Sequence, residues 1–440
     1  MPIEARLSDI KEAPRTSCAL GGALGSMLGL YGGVPILHSG AGCGLGQQFG
    51  LTYAAGQNSA GGQGTTNTPC SSLVEEHVIF GGEDKLRKLI RSSIKLMEGE
   101  FFAVISGCIP SIIGDDVDAV VKEFRQQAPL VHVKAPGFIG NSYEGYELLL
   151  EAVADQLLEP QPVRKNQINI LGVVPFQHLF WKGDLAILKR TFAAFGIEAN
   201  IIFTEFGALD RLREITAAEL NVVVSPWVGH RVAAKLEAKF GTPFLTAPGV
   251  PIGGEQTSRL VRRVAERLGL NQEKVERVIA REERHAYRSA EYYGDAIMLG
   301  APHALFAVAA DSGTAVGLTQ FLTNEVGYVP DLAIVTDDAP ESAHEGIRRG
   351  LTEGLISAVK PELVFEADAH KIRQKLKGRA FLFLFASSLE KHIAGPEFNA
   401  IPITVSFPSF DRLIIDRSYA GFRGGLTVME EMVSTCTGPL

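Results

Sequence analysis

No run of about 18 apolar residues occurs anywhere in the 440-residue chain, so no segment has the length that a membrane-spanning helix requires. The start, Met1-Pro2-Ile3-Glu4-Ala5-Arg6, lacks the positive patch and apolar core of a secretory signal, and a cytoplasmic protein is expected. An excess of positive charge is missing too. At a net charge of −8, neither a nucleic-acid partner nor an anionic membrane surface is the expected target. Cysteine is scarce, and the five present are an odd number, which argues against a disulfide framework. Short internal repeats and low-complexity tracts are absent, which removes solenoids. There is no Walker Lys-Ser/Thr pair, no dinucleotide fingerprint, no Gly-x-Ser-x-Gly elbow and no histidine pair of zinc spacing. The commonest nucleotide-binding and hydrolase classes are therefore not favoured.

What is present fits an ordinary globular protein, with 46% hydrophobic and 21% charged residues. At about 150 residues per domain the length corresponds to roughly three domains. Short apolar runs recur at 34–37, 101–105, 130–133, 168–174, 201–203, 222–224, 306–309, 332–335, 381–385 and 403–405. Most are continuous rather than alternating, as strands buried on both faces are. Stretches of helical period lie between them at 84–97, 116–126, 184–195, 231–240 and 257–268. This alternation predicts an α/β fold of three Rossmann-like, doubly wound domains with parallel sheets. Glu159-Pro160-Gln161-Pro162 reads as a break, and the charged stretch 271–288 reads as a helix bridging to the last unit. The expected domains are 1–163, 164–300 and 301–440.

Chemistry concentrates in the first quarter. His38-Ser39-Gly40-Ala41-Gly42-Cys43-Gly44-Leu45-Gly46 follows the first predicted strand, and ligands in open α/β sheets bind at strand carboxyl ends. Its glycines allow close backbone approach, and a cysteine at its centre suits a metal better than a phosphate; a plain tight turn is the alternative. A second strand ends on Ser106-Gly107-Cys108, and Cys18 precedes a Gly-rich helix start at Gly21-Gly22. Cys18, Cys43 and Cys108 are the candidate metal ligands, with three unrelated core cysteines as the competing reading. Three thiolates neither close a four-iron cube nor satisfy tetrahedral zinc, so a fourth ligand comes from elsewhere or a second chain supplies the rest. Cys70, in the Gly-rich segment 56–72, reads as a bystander with a fourth ligand as its alternative, Cys436 as a bystander, and His38 as a structural hydrogen-bonding residue.

At these residues the sequence resembles the nitrogenase component-1 superfamily over nearly its whole length. Leu37-His38-Ser39-Gly40-Ala41-Gly42-Cys43 resembles the family's His-Gly-x-x-Gly-Cys loop. Val78-Ile79-Phe80-Gly81-Gly82 resembles its Val-Phe-Gly-Gly segment, and the stretch from Ser106 to Asp116 its Thr-Cys-x-x-x-Ile-Gly-Asp-Asp signature. The cysteines are spaced 25 and 65 residues apart, close to the spacings of the family's cluster cysteines. The resemblance implies an α2β2 heterotetramer, with a P-cluster (8Fe-7S) at the subunit interface held by three cysteines of each chain. Here those would be Cys18, Cys43 and Cys108. It further implies an ATP-dependent Fe protein as electron donor.

The family's catalytic α-type subunit adds a cysteine and a distant histidine for an iron–sulfur cofactor. The matching stretch, from Leu220 to Trp227, has no cysteine, and no histidine follows His392; the chain therefore resembles the β-type subunit. Only 17 residues precede Cys18, and Pro136-Gly137-Phe138-Ile139-Gly140 has a glycine where the family's serine can ligate the oxidised cluster. Both features point to a nitrogenase-like reductase, methylthio-alkane reductase above all. The alternatives are a vanadium or iron-only nitrogenase, an N-type cofactor-assembly scaffold, and a tetrapyrrole reductase subunit; the last two would share a 4Fe-4S cluster instead.

Overall fold

The computed structural model describes residues 11–56, 68–300 and 304–437. Its strands form three sheets, all parallel. The first holds β1 (Gly33–His38), β2 (Phe101–Ser106) and β3 (Leu130–Lys134) in the order β1-β2-β3. The second holds β4 (Arg164–Leu171), β5 (Glu198–Asn200), β6 (Ala218–Val223) and β7 (Phe244–Thr246) in the order β5-β4-β6-β7. The third holds β8 (Leu305–Ala310), β9 (Val329–Val335), β10 (Glu362–Phe365), β11 (Phe383–Ala386) and β12 (Ile401–Thr404) in the order β10-β9-β8-β11-β12. Both larger sheets reverse direction beside their first strand, as doubly wound sheets do. The expected α/β class with parallel sheets is what the chain adopts. Continuous apolar runs made the strands legible: all six residues of β2 are buried, as in a sheet covered on both faces.

Some local expectations were displaced. Residues 201–203 are buried but form no strand; the second-sheet strand is the preceding segment, Glu198–Asn200. The run turns away because Thr204 N donates to Gly29 O at 3.1 Å, which draws it against the first unit. The Gly-rich stretch 38–46, read as a loop after the first strand, gives way at Ala41 to a 14-residue helix, Ala41–Ala54. The helix read over 116–126 is only Val117–Lys122, and the bridging helix extends over Gln272–Gly300.

Helix Ala19–Leu28 is buried along all ten residues and crosses helix Ser142–Gln156 with backbones in contact. A Cβ at Gly22 would lie 2.0 Å from Ser142 O, and one at Gly145 2.1 Å from Ala19 O. Only glycine permits this approach.

The segment before that helix is anchored on the third sheet. Glu12 N donates to Asp368 Oδ2 at 2.6 Å. Buried Arg15 pairs in bidentate fashion with Glu390 and also donates to Ser387. Among the described residues, no helix is long and apolar enough to cross a membrane.

Candidate functional site

Consecutive parallel strands place their carboxyl-end turns side by side, about 4.8 Å apart. Cys43 follows β1, Cys108 follows β2 and Gly137 follows β3. Cys18 joins them through an antiparallel bridge to Asn141, and Ala19 N donates to Gly140 O at 2.9 Å. The meeting point is Gly137. Its N–H donates to Cys108 Sγ at 3.0 Å, and a Cβ there would lie 3.2 Å from Cys18 Sγ and 3.3 Å from Cys108 Sγ. Cys18 and Cys108 therefore converge.

Cys43 is placed beside them by its helix. Gln47, one turn later on the same face, donates from Nε2 to Cys18 Sγ at 3.4 Å. At the helix start, a Cβ on Gly40 would lie 3.3 Å from Cδ1 of Ile109, the neighbour of Cys108.

Each of the three cysteines stands at a helix N-terminus. Cys18 caps Ala19–Leu28, Cys43 lies in the first turn of Ala41–Ala54, and Cys108 opens Cys108–Ile113. None of these ends has a side-chain cap or an acidic residue in its first turn. Uncapped N–H groups and the positive end of the helix favour negative charge nearby, as on thiolate sulfur. All three cysteines are half-buried. Among the described residues no group of three Cys, His, Asp or Glu side chains is arranged to hold a single metal ion, so the three thiols do not enclose an ion by themselves.

The other cysteines do not join. Cys70 Sγ lies 3.7 and 3.8 Å from the carbonyl oxygens of Ser39 and Gly40 and accepts from Ser72 N at 3.4 Å. Its sulfur is held against the β1 loop that leads into Cys43, and a Cβ at Gly44 would lie 3.7 Å from it. Cys436 is exposed on the last helix, Gly424–Thr437.

Two hydrogen-bond chains brace the cysteine turns from behind. His38 is fully buried, with Nδ1 3.0 Å from Ser71 Oγ and Nε2 3.0 Å from Asp115 Oδ2, while Asp115 Oδ1 accepts from Gly82 N at 3.0 Å. The three motif segments of the sequence thus interlock through one carboxylate, and His38 has the structural role expected of it. Burial lowers the pKa of its imidazole despite the opposing hydrogen bond and charge of Asp115. The second chain runs from Ser106 Oγ to His132 Nε2 at 2.8 Å and from His132 Nδ1 to Asp118 at 2.8 Å. It has Ser-His-Asp order, but Ser106 is buried and has no access to a substrate.

The face carrying the cysteines is apolar and open. Phe80 is 83% exposed, Ile112 72% and Phe138 64%, with Leu45, Ile79 and Ile139 also exposed. Large side chains grouped in this way mark an interaction surface.

Deeper in the molecule, the facing ends of the second and third sheets enclose a cavity of about 20 Å³, lined by Ser225, Asp311, Thr314 and Asp337 among others. That is room for one water. Asp337 is pushed up to about 6 by burial, although Ser312 and Trp227 donate to it.

Sequence reasoning missed Gln47. Had the Gly-rich stretch been recognised as a helix, the four-residue offset from Cys43 would have exposed it.

Comparison with known proteins adds the following. The family described as nitrogenase component 1 type oxidoreductase matches residues 18–437. The chain is 29% identical over 277 residues to the nitrogenase iron-molybdenum cofactor biosynthesis protein NifE of Nostoc sp., covering 61% of this chain and 55% of that protein. It is 24% identical over 453 residues to the nitrogenase molybdenum-iron protein alpha chain of Methanothermobacter marburgensis, covering 96% of this chain and 88% of that one. The chain thus spans about half the length of the NifE relatives it matches, and most of the length of the alpha chain. A solved nitrogenase Cp1 structure at pH 6.5 superposes with a TM-score of 0.77 at 20% identity, covering 97% of this chain and 93% of that one; at that identity the likeness concerns the fold.

Proposed function

The chain belongs to the nitrogenase component 1 type oxidoreductases, and from there we propose that it is the β-type subunit of a nitrogenase-like reductase, with methylthio-alkane reductase the favoured member. In this reading Cys18, Cys43 and Cys108 hold half of a P-cluster (8Fe-7S) shared with an α-type subunit. The complex is a cytoplasmic α2β2 heterotetramer that takes electrons from an ATP-dependent Fe protein and passes them to an iron–sulfur cofactor in the α-type chain.

The observation that carries this proposal is the meeting of Cys18 and Cys108 at Gly137, with Cys43 beside them, on an exposed apolar face. The residues fit the group. The donors are all thiols, the helix ends favour their charge, and the cradle against them is a glycine whose Cβ would intrude. Such a cluster, when bound, supplies storage and release of single electrons. The chain's own part is to present thiolates, to donate the Gly137 N–H to Cys108, and to bring an apolar face that excludes water once a second chain covers it.

The β-type assignment rests on the absence of cysteine between Leu220 and Trp227 and of histidine after His392. Gly137, where the family's serine would stand, favours the divergent branch; a vanadium or iron-only nitrogenase β subunit is the next reading.

The relatives named NifE favour a second reading, a cofactor-assembly scaffold with a shared 4Fe-4S cluster, against which the retention of all three cysteines counts.

Iron, molybdenum and vanadium per heterodimer in the anaerobically purified complex separate these readings. Iron well above eight is expected. About four irons without a heterometal points to a scaffold or a tetrapyrrole reductase and refutes the favoured reading.

A further inference from the structure

We propose that Gln47 sets the reduction potential of the cluster by donating its side-chain amide to the Cys18 thiolate; this rests on the reading above. Among the described residues, the hydrogen bonds recorded to the three candidate sulfurs come from Gly137 N–H and from Gln47 Nε2. The first belongs to the backbone. The second depends on which residue occupies position 47, and so is open to choice.

The seat for that amide is built. Gln47 lies four residues after Cys43 in helix Ala41–Ala54, which puts its side chain on the same helix face, between Cys43 and Cys18. Its far end rests on helix Ala19–Leu28 at Gly21. A Cβ at Gly21 would lie 2.1 Å from Gln47 Oε1, 2.9 Å from its Cδ and 2.6 Å from Ser17 Oγ. Any other residue at position 21 would push the amide off the sulfur. The hydrogen bond also fixes which way the amide faces: turned over, it would set its carbonyl oxygen against a negatively charged sulfur.

The electrostatic consequence has one sign. Reduction adds negative charge to a cluster and its sulfurs, and a neutral N–H donor stabilises the more negative state. The potential is therefore raised by the bond and falls when it is lost. The half-buried setting strengthens the effect, because a hydrogen bond counts for more at low local dielectric.

The test compares wild type, Gln47→Leu and Gln47→Glu as anaerobically purified complexes with the partner subunit. Two quantities are read: iron per heterodimer, and the cluster midpoint potential from an EPR-monitored redox titration. Gln47→Leu is expected to keep its iron and to shift the ratio of oxidised to reduced cluster about tenfold at fixed potential, ~59 mV to the negative for a one-electron couple. Gln47→Glu, of nearly the same shape but without the donor at pH 8, is expected to move the potential further in the same direction. Full iron with an unchanged potential in Gln47→Leu overturns the inference and leaves the wider reading standing. If Gln47→Leu loses iron, the isosteric Gln47→Glu decides, and an unchanged potential there overturns the inference equally. A wild-type complex without an iron–sulfur cluster overturns the wider reading, and the role of Gln47 with it.

Discussion

Replacing Gly22 by alanine tests whether the helix crossing is what seats Cys18. The new Cβ would stand 2.0 Å from Ser142 O and 2.4 Å from Ser142 Cα, both backbone atoms that cannot rotate aside. Cβ contacts below 3.0 Å essentially do not occur, so the two helices must part by about 1 Å. Overpacking of this kind costs about 1–3 kcal/mol, and the better helix propensity of alanine returns at most about 1 kcal/mol. A net loss of about 1–2 kcal/mol is expected. The displacement matters more than the energy. Ser142 follows Asn141, the bridge partner of Cys18, and the Cys18 sulfur would be 3.2 Å from a Cβ at Gly137. An opening of this size is a large fraction of that spacing. The assay pairs urea unfolding with iron content of the anaerobic complex, and both are expected to fall. Gly346→Ala is the control: it lies within helix Glu341–Thr352 with nothing within 4 Å of its Cβ, and it should gain up to about 1 kcal/mol. A Gly22→Ala protein with wild-type iron and an unchanged unfolding midpoint refutes the reasoning.

Cys43→Ala or Cys108→Ala should lose cluster iron and heteromer together, because metal binding is also assembly energy, whereas Cys70→Ala and Cys436→Ala should keep both; a fully loaded Cys108→Ala complex rejects the ligand assignment. Glu390→Gln leaves Arg15, 2% exposed, without its counter-charge and should cost about 3 kcal/mol in urea unfolding, most of it recovered in Arg15→Met/Glu390→Leu; a cost below about 1 kcal/mol would mean that water reaches the pair. Glu147, buried, is raised to about 7 by desolvation against the opposing N–H donors of Val232 and Gly229. Its folded value lies above its unfolded one, so its stabilising share is complete below pH 4.5 and is lost as pH rises through 7. Relative to Glu147→Gln, wild type should lose about 3 kcal/mol over that window, measurable as diverging melting temperatures; parallel curves contradict it.

The parts of the fold legible in the sequence were those where burial on both faces forces a continuous apolar run, as in β2 and β8. Edge strand β10 was missed because all four of its residues keep some exposure and the run carries no such signature. β7 was missed because three residues, Phe244–Thr246, are too few to show a period. The candidate site divides along the same line. Cysteine identity and spacing were visible, but not why they meet: Gly137, Gly22 and Gln47 act through backbone approach and a helix face that appears only once residues 41–54 are known to be helical. Neighbours in space but not in sequence leave no local trace.

The clamp of Arg15 on Ser387 and Glu390 joins residues 372 and 375 positions apart in the sequence. The carbonyl of Arg15 accepts from Gln177 Nε2 at 2.8 Å, so the lead into Cys18 is stapled from two distant parts of the chain at once. Contacts of such long sequence separation are slow to form, because the loop between their ends must close first. The lead into Cys18 is therefore expected to reach its native position late in folding.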